Sequence, residues 1–176
     1  MRMPTTITHY LEMTAPGDLS PAPAVPGLAL RLIDGARPEA HAAQKAVGAP
    51  YGWRAVSLTE ADWAAQLREH PSRQYWLITH DGGTAGVAFL EPAPGGDVEI
   101  EAFGLLPAYV GRGLGGYALT LALRQAWATE PVDGVPVRRV WLHTCSNDHP
   151  RALGNYEKRG LRRYRVEEKA EDVGAP

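Results

Sequence analysis

The sequence predicts an α/β (α+β) fold: a mixed, mostly antiparallel central sheet flanked by helices on both faces. Three observations predict it. Residues 74–79, 84–91 and 97–106 are strand-like and are separated only by tight turns, so they pair antiparallel. Residues 137–144 and 161–167 are also strand-like but are separated by a helical stretch, which demands a crossover. Amphipathic helical segments alternate with these strands, and a sheet with helices on both faces buries their apolar stripes.

Taken in order, residues 8–13 read as a short strand within a Pro-rich N-terminal arm, residues 1–27, whose segment 14–27 is a loop or linker. Residues 28–33 alternate as a first core strand. Residues 38–46 are Ala-rich and helical, ending near Gly48. A loop at 49–54 carries Tyr51 and Trp53. A second helix starts at Ser57 or Thr59, with Glu60 and Asp62 favouring its N-terminal dipole and Trp63 and Leu67 on one face. Strand 74–79 turns at Asp81-Gly82-Gly83 into strand 84–91, and 92–96 turns into strand 97–106. A glycine-rich loop follows, then a helix over 114–129 with the stripe Leu119, Leu123 and Trp127. Strand 137–144, a short helix at 150–159 closed by Gly160, strand 161–167 and a polar tail, 168–176, complete the chain. There is no internal repeat, and 176 residues read as one domain, 1–176.

Composition narrows the function. Lys plus Arg total 18 and Asp plus Glu total 20, giving a formal charge of −2. This balance supplies no electrostatic drive toward nucleic acid or an anionic membrane. The single cysteine, Cys145, rules out an intramolecular disulfide framework and suits a reducing cytoplasm. The N-terminus lacks the basic-then-apolar pattern of a signal peptide. No stretch approaches the ~20 apolar residues of a membrane helix.

The informative stretch is YVGRGLGG at residues 109–116. Its glycines sit between a strand and a helix, where backbone can approach a ligand closely and free N–H groups suit a phosphate or pyrophosphate. Gly111, Gly113 and Gly116 satisfy the dinucleotide pattern G-x-G-x-x-G, but the motif does not follow the first strand, and three hairpin-like strands precede it. A plain glycine-rich turn is a second reading. The third is a family resemblance. Strand 98–106, Pro107, Gly111-Arg112-Gly113-Leu114-Gly115 and an apolar helix resemble the acetyl-CoA motif of the GNAT superfamily of N-acetyltransferases. Gly113 and Gly115 fill that motif's two small positions, and Val110 stands where the family has Gln or Arg. DHPRALGNYEKRGL, residues 148–161, is similar to the family's second pattern. Ala152, Tyr156, Glu157, Lys158 and Gly160 match in register, with His149 in place of Asn and Leu161 in place of Phe. WLHTCSNDHPRAL, from Trp141, resembles a group of bacterial members of this family.

The resemblance implies a GNAT-like sheet and acetyl transfer from acetyl-CoA to a primary amine of a small molecule or peptide, by direct attack in a ternary complex. Such a reaction needs a base for the amine, stabilisation of a carbonyl oxygen that becomes negative, and a proton for the departing thiolate. Glu99, Glu101 and Phe103 alternate along one strand and are expected on one face. Glu99 falls where some family members carry a general base, and Glu101 is the second choice. Burial would raise such a carboxyl toward neutrality; pairing with Arg138 or Arg139 is the alternative. Tyr156 matches the family's acid, or is a packed aromatic beside Leu153. The resemblance assigns the backbone of Phe103, Gly104 and Leu105 to the cofactor arm. It assigns the loop Gly111, Arg112, Gly113, Leu114, Gly115 and Gly116 to the pyrophosphate, with Arg112 either on a phosphate or free in solvent. It places Tyr51 and Trp53 at the acceptor, where aromatics suit an apolar or cationic group.

His143, Cys145, Asp148 and His149 match no common zinc framework, so no metal is expected. Arg159, Arg162, Arg163 and Arg165 read as a solvated face balanced by Glu167, Glu168 and Glu171, not a nucleic-acid patch. Exposed aromatics or a swapped terminal strand leave room for a homodimer. Two other function classes stay open at this point: a non-catalytic acyl-CoA-binding or sensing module, and a dinucleotide-binding protein.

Overall fold

The computed structural model describes residues 4–170. Local turn chemistry builds its centre. Asp81 and Gly82 adopt the left-handed backbone of a tight hairpin, with φ of 49° and 85°. They join β3 (Gln74–His80) to β4 (Gly83–Pro92). A second turn, with Gly95 and Gly96 at φ of 89° and 87°, joins β4 to β5 (Asp97–Leu105). Upstream lie β1 (Thr5–Met13), β2 (Leu28–Ile33), α1 (Pro38–Gly48) and α2 (Glu60–Glu69). Thr59 and Asp62 exchange side-chain and backbone hydrogen bonds in a capping box that fixes the start of α2. Downstream lie α3 (Gly115–Trp127), β6 (Arg139–Cys145), α4 (Ala152–Lys158) and β7 (Arg162–Ala170).

Among the described residues seven strands form one sheet in the order β2-β3-β4-β5-β6-β1-β7. Neighbours are antiparallel except β5 and β6, which are parallel. The mixed, mostly antiparallel sheet expected from the turns is therefore present. Its ends differ from the expectation. β1 starts at Thr5, ahead of residue 8, and lies between β6 and β7. β7 runs to Ala170, into the stretch read as a tail; residues 171–176 of that tail lie outside the described residues.

Because β1 and β2 sit far apart in the sheet, the Pro-rich segment between them crosses the molecule over α3 and α4. It is docked there: the Ser20 N–H donates to the Arg159 carbonyl (2.9 Å) and the Ala22 N–H to Thr120 Oγ1 (3.0 Å). Helices cover both faces. Val47 of α1 and Trp63 of α2 pack on Tyr75, Leu77, Val87, Phe89 and Ala102. On the opposite face Leu119 and Leu123 of α3 and Tyr156 of α4 pack on Leu11, Leu90, Ile100 and Leu142. Side chains of this size contribute about 1.5–3 kcal/mol each when fully buried. On the α1 face, β6, β1 and β7 carry exposed polar and aromatic side chains, including His143 and Tyr164. That open half is where the candidate site begins.

Candidate active site

β5 and β6 pair through only Asp97–Arg139, Val98–Val140 and Glu99–Trp141. Beyond Glu99 the ladder stops, although both strands continue, to Leu105 and to Cys145. A V-shaped opening results, and Glu99 stands at its apex.

A β-bulge decides which side chains face which side. The β4–β5 register shifts between Phe89–Ala102 and Leu90–Ile100, so Glu101 is the extra residue. Val98 and Ile100 face the α3 side, but so does Phe103, which packs on that core. Ala102 faces α1. The expectation that Glu99, Glu101 and Phe103 share a face is thus corrected: the extra residue reverses the alternation after Glu101. Gly104 also faces α1, where a Cβ would stand 2.6 Å from Val47 Cγ1.

Glu99 and Glu101 lie in a cluster of charges. Arg73, whose side chain is 8% exposed, donates from Nε to Glu91 Oε2 (2.9 Å) and lies 3.7 Å from Glu101 Oε1. His70 Nδ1 is 3.0 Å from the other Glu91 oxygen. Glu101 Oε2 is buried without a hydrogen-bond partner. Neither glutamate pairs with the arginines expected: Arg139 instead bridges Glu12 and Asp97. Glu91 and Glu101 contact the buried guanidinium while Glu99 stands beside them, so burial and like charge favour the protonated form of Glu99. Burial, then Glu101 and Glu91, push its carboxyl up to about 7, against the opposing pull of Arg73 and His70. Its facing group across the opening is His143, with Nε2 3.8 Å from Glu99 Oε1.

Tyr156 lies on the other face of the sheet. It is buried, and its ring meets Phe103 edge-on at 6.2 Å. Burial, and secondarily Asp148, push its hydroxyl above the ordinary tyrosine range, so it stays protonated at any physiological pH. The V-shaped opening is therefore flanked by a carboxyl that can lose a proton near neutrality and a phenol that keeps one.

The glycine loop divides into parts with different causes. Gly111 and Gly113 have φ of 78° and 76°, and no atom lies within 4 Å of a Cβ built on either. Their backbone conformation, not packing, requires glycine. The Gly115 carbonyl accepts from Asn155 Nδ2 (3.1 Å), tying α4 to the first turn of α3. Gly116 is packed: a Cβ would stand 2.9 Å from Arg159 Nη1 and 3.1 Å from Ala22 Cβ. Leu114 precedes α3 with no side-chain cap, which leaves its first N–H groups available to an anion. Arg112 lies over the Tyr109 ring at 5.2 Å. A free helix start after a left-handed glycine loop, beside an unzipped strand pair, fits a pyrophosphate followed by an extended arm.

Trp53 and Tyr51 roof the α1 side. Trp53 lies against Gly48 and Gly104, and its Nε1 donates to Asp148 Oδ1 (2.9 Å). Asp148 Oδ2 accepts from Thr144 Oγ1 (2.6 Å) and the Cys145 N–H (3.0 Å). Tyr51 meets His149 edge-on at 6.1 Å. The loop after α1 is thereby fastened to the loop after β6, across the opening. The structure thus brings Tyr51, Trp53 and the 148–149 pair together. His143 stands apart from that pair, at Glu99.

Sequence reasoning missed Arg73, His70 and Glu91. Glu91 is placed by the observed turn: counting outward from residues 94–96 pairs Ala93 with Asp97, Pro92 with Val98 and Glu91 with Glu99. Arg73 and His70 offered no signal in the sequence, because only the β3–β4–β5 register carries their loop to Glu99.

The model of the Acetyltransferase (GNAT) family matches residues 40–161, which takes in the glycine loop, the candidate carboxylates and Tyr156. The chain is 35% identical over 99 residues to the mycothiol acetyltransferase of Nocardia farcinica, covering 56% of this chain and 29% of that protein. A GCN5-related N-acetyltransferase from Sphaerobacter thermophilus superposes with a TM-score of 0.64 at 18% identity, covering 94% of this chain and 52% of that one. Another from Kribbella flavida gives 0.62 at 24% identity, covering 97% and 61%. These two structures share the fold, and this chain spans less than two thirds of each of the three proteins. No helix among the described residues is long and apolar enough to cross a membrane.

Proposed function

Because the chain belongs to the acetyltransferase (GNAT) family, we propose that it moves an acetyl group from acetyl-CoA to a primary amine of a small molecule or peptide. The observation that carries this reading is the opening between β5 and β6, with Glu99 at its apex on one face and Tyr156 beside it on the other.

Gly111, Arg112, Gly113, Leu114, Gly115 and Gly116 would hold the pyrophosphate of acetyl-CoA. The backbone of Phe103, Gly104 and Leu105 would hold its arm, and the bound molecule supplies the thioester. The part of Gly116 is its N–H, since its missing Cβ serves the packing on Arg159 and Ala22. Tyr51 and Trp53 wall the acceptor's approach. Glu99, directly or through water, takes the proton that masks the amine's lone pair; Glu101 serves as its neighbour and second candidate. Tyr156 supplies the proton that the departing sulfur requires. The cytoplasm, where acetyl-CoA and a reduced Cys145 coexist, is the setting this reading implies.

Thermal unfolding with acetyl-CoA, CoA and NAD added separately tests the cofactor. A ligand at ~100 times its Kd stabilises by about 2.7 kcal/mol. Both CoA species are expected to raise Tm and NAD to leave it unchanged; no shift with either CoA species overturns the reading. Val110, at the family's Gln/Arg position, favours the second reading of a non-catalytic acyl-CoA-binding module. Glu99→Gln and Tyr156→Phe separate the two: each is expected to lower kcat, by about 10²-fold or more for the base. CoA binding without turnover by the unaltered protein supports the module.

A further inference from the structure

Acetyl transfer from a thioester to an ammonium releases one proton per turnover. The nitrogen's lone pair, freed by loss of one proton, forms the C–N bond, and the C–S pair leaves on sulfur with a proton. The nitrogen then loses a second proton, so the sum is one amide, one thiol and one proton to solvent. The proton taken by Glu99 must therefore leave a carboxyl only 21% exposed before the next turnover. We propose that His143 is the proton-relay residue for Glu99, carrying that proton from the apex of the β5–β6 opening to solvent. This inference rests on the acetyl-transfer reading above and concerns a residue that the reading leaves idle.

The geometry is specific. His143 is on β6, two residues beyond Trp141, which is the last partner of Glu99 in the ladder. Its Nε2 lies 3.8 Å from Glu99 Oε1, a gap that a small side-chain rotation or one bridging water closes. Half of its side chain is exposed, so the ring reaches from the carboxyl to solvent. Its ring is flanked by Tyr10 at 5.6 Å and Trp141 at 6.4 Å, which limit its rotation without taking its nitrogens. The other charged groups around Glu99 are engaged elsewhere. Arg73 and His70 face Glu91, Arg73 also faces Glu101, and on the neighbouring strands Arg139 holds Glu12 and Asp97. Of these, His143 is the group that meets Glu99 across the opening.

Imidazole can accept a proton at one ring nitrogen and release one from the other, which suits it to passing a proton on, and Glu99, pushed up to about 7, gives up its proton near neutrality. The neutral ring accepts the carboxyl proton at Nε2 and yields the proton on Nδ1 to solvent. The ring then returns to its starting tautomer by exchange with water. The relay consumes no co-reactant.

The test measures thiol release from acetyl-CoA with phenethylamine, cadaverine and a glycine-terminated tripeptide as acceptor probes, for the unaltered protein, His143→Gln and His143→Asn. In dilute buffer at neutral pH both variants are expected to lose about 10-fold or more in kcat, with the KM for acetyl-CoA unchanged. Added imidazole is expected to restore most of that loss while leaving the unaltered protein within about twofold. Restoration by a small free base is something a structural role would not produce. Thermal unfolding of each variant checks that the fold is retained. A variant that works like the unaltered protein in dilute buffer, or whose loss imidazole does not restore, overturns the relay and leaves acetyl transfer standing. If acetyl-CoA stabilises the unaltered protein but none of the three amines is acetylated, the amine reading falls and the relay with it.

Discussion

Glu99 carries a cost that can be measured without any substrate. Its carboxyl rises from an ordinary 4.5 to about 7 in the folded protein, chiefly through burial and then through Glu101 and Glu91. A carboxyl raised on folding binds its proton more tightly in the native state. Its contribution to stability is complete below pH 4.5 and is lost as pH climbs through about 7. Glu99→Gln removes that dependence. At pH 4 the variant should match the unaltered protein, and above pH 8 it should be more stable, by up to roughly 3 kcal/mol. Urea unfolding at the two pH values measures the difference; equal stability changes at both would mean that the Glu99 carboxyl is not held protonated. Activity has the opposite sign. The base must be ionised, so kcat/KM should rise with pH through about 7, the range in which the fold loses this contribution.

At the scale of elements, the loop after α1 is fastened to the loop after β6 by one indole. Trp53 fits because Gly48 has no side chain: a Cβ at Gly48 would stand 2.5 Å from that of Trp53. Its Nε1 donates to Asp148, and a hydrogen bond to a charged group contributes about 1.5–3 kcal/mol. Trp53→Phe keeps a ring against Gly48 and removes the donor. It is expected to lower stability by about 1–2 kcal/mol and to raise the acceptor's KM more than that of acetyl-CoA, read from urea unfolding and steady-state kinetics. This fastening was not legible in the sequence, because Trp53 and Asp148 are 95 residues apart. The hairpins were legible, because Asp81-Gly82 and the turn at 92–96 carry their own conformational demand. Glu99 was legible for a related reason: a carboxylate amid apolar strand residues is conspicuous wherever the strand goes. The face of Phe103 was not legible. A bulge is set by how two strands register, and alternation along one strand contains no trace of it.

At the scale of the whole molecule, β1 ties β6 to β7. β6 shares three pairs with β5 and six with β1, so the far wall of the opening is held in place by the N-terminal strand more than by its parallel neighbour. β7 in turn pairs with β1. Leu11 and Met13 anchor β1 beneath α3 and α4 with 0% and 1% exposure, and Trp127 Nε1 donates to the Met13 sulfur. A strand so placed couples stability to the site. Leu11→Ala deletes a fully buried side chain whose surroundings are fixed on both sides by sheet, and a cost of about 2–5 kcal/mol is expected. That is a large share of the 5–15 kcal/mol typical of a domain. The same change loosens β6 against β1 while leaving Glu99, Tyr156 and the glycine loop chemically intact. Acetyl-CoA should therefore bind Leu11→Ala more weakly, and saturating acetyl-CoA should raise its Tm by less than it raises that of the unaltered protein. Calorimetric unfolding with and without acetyl-CoA measures both quantities on one sample. Full loss of stability with an unchanged ligand shift would show that β5 alone positions β6, and that the N-terminal strand serves the fold without serving the site.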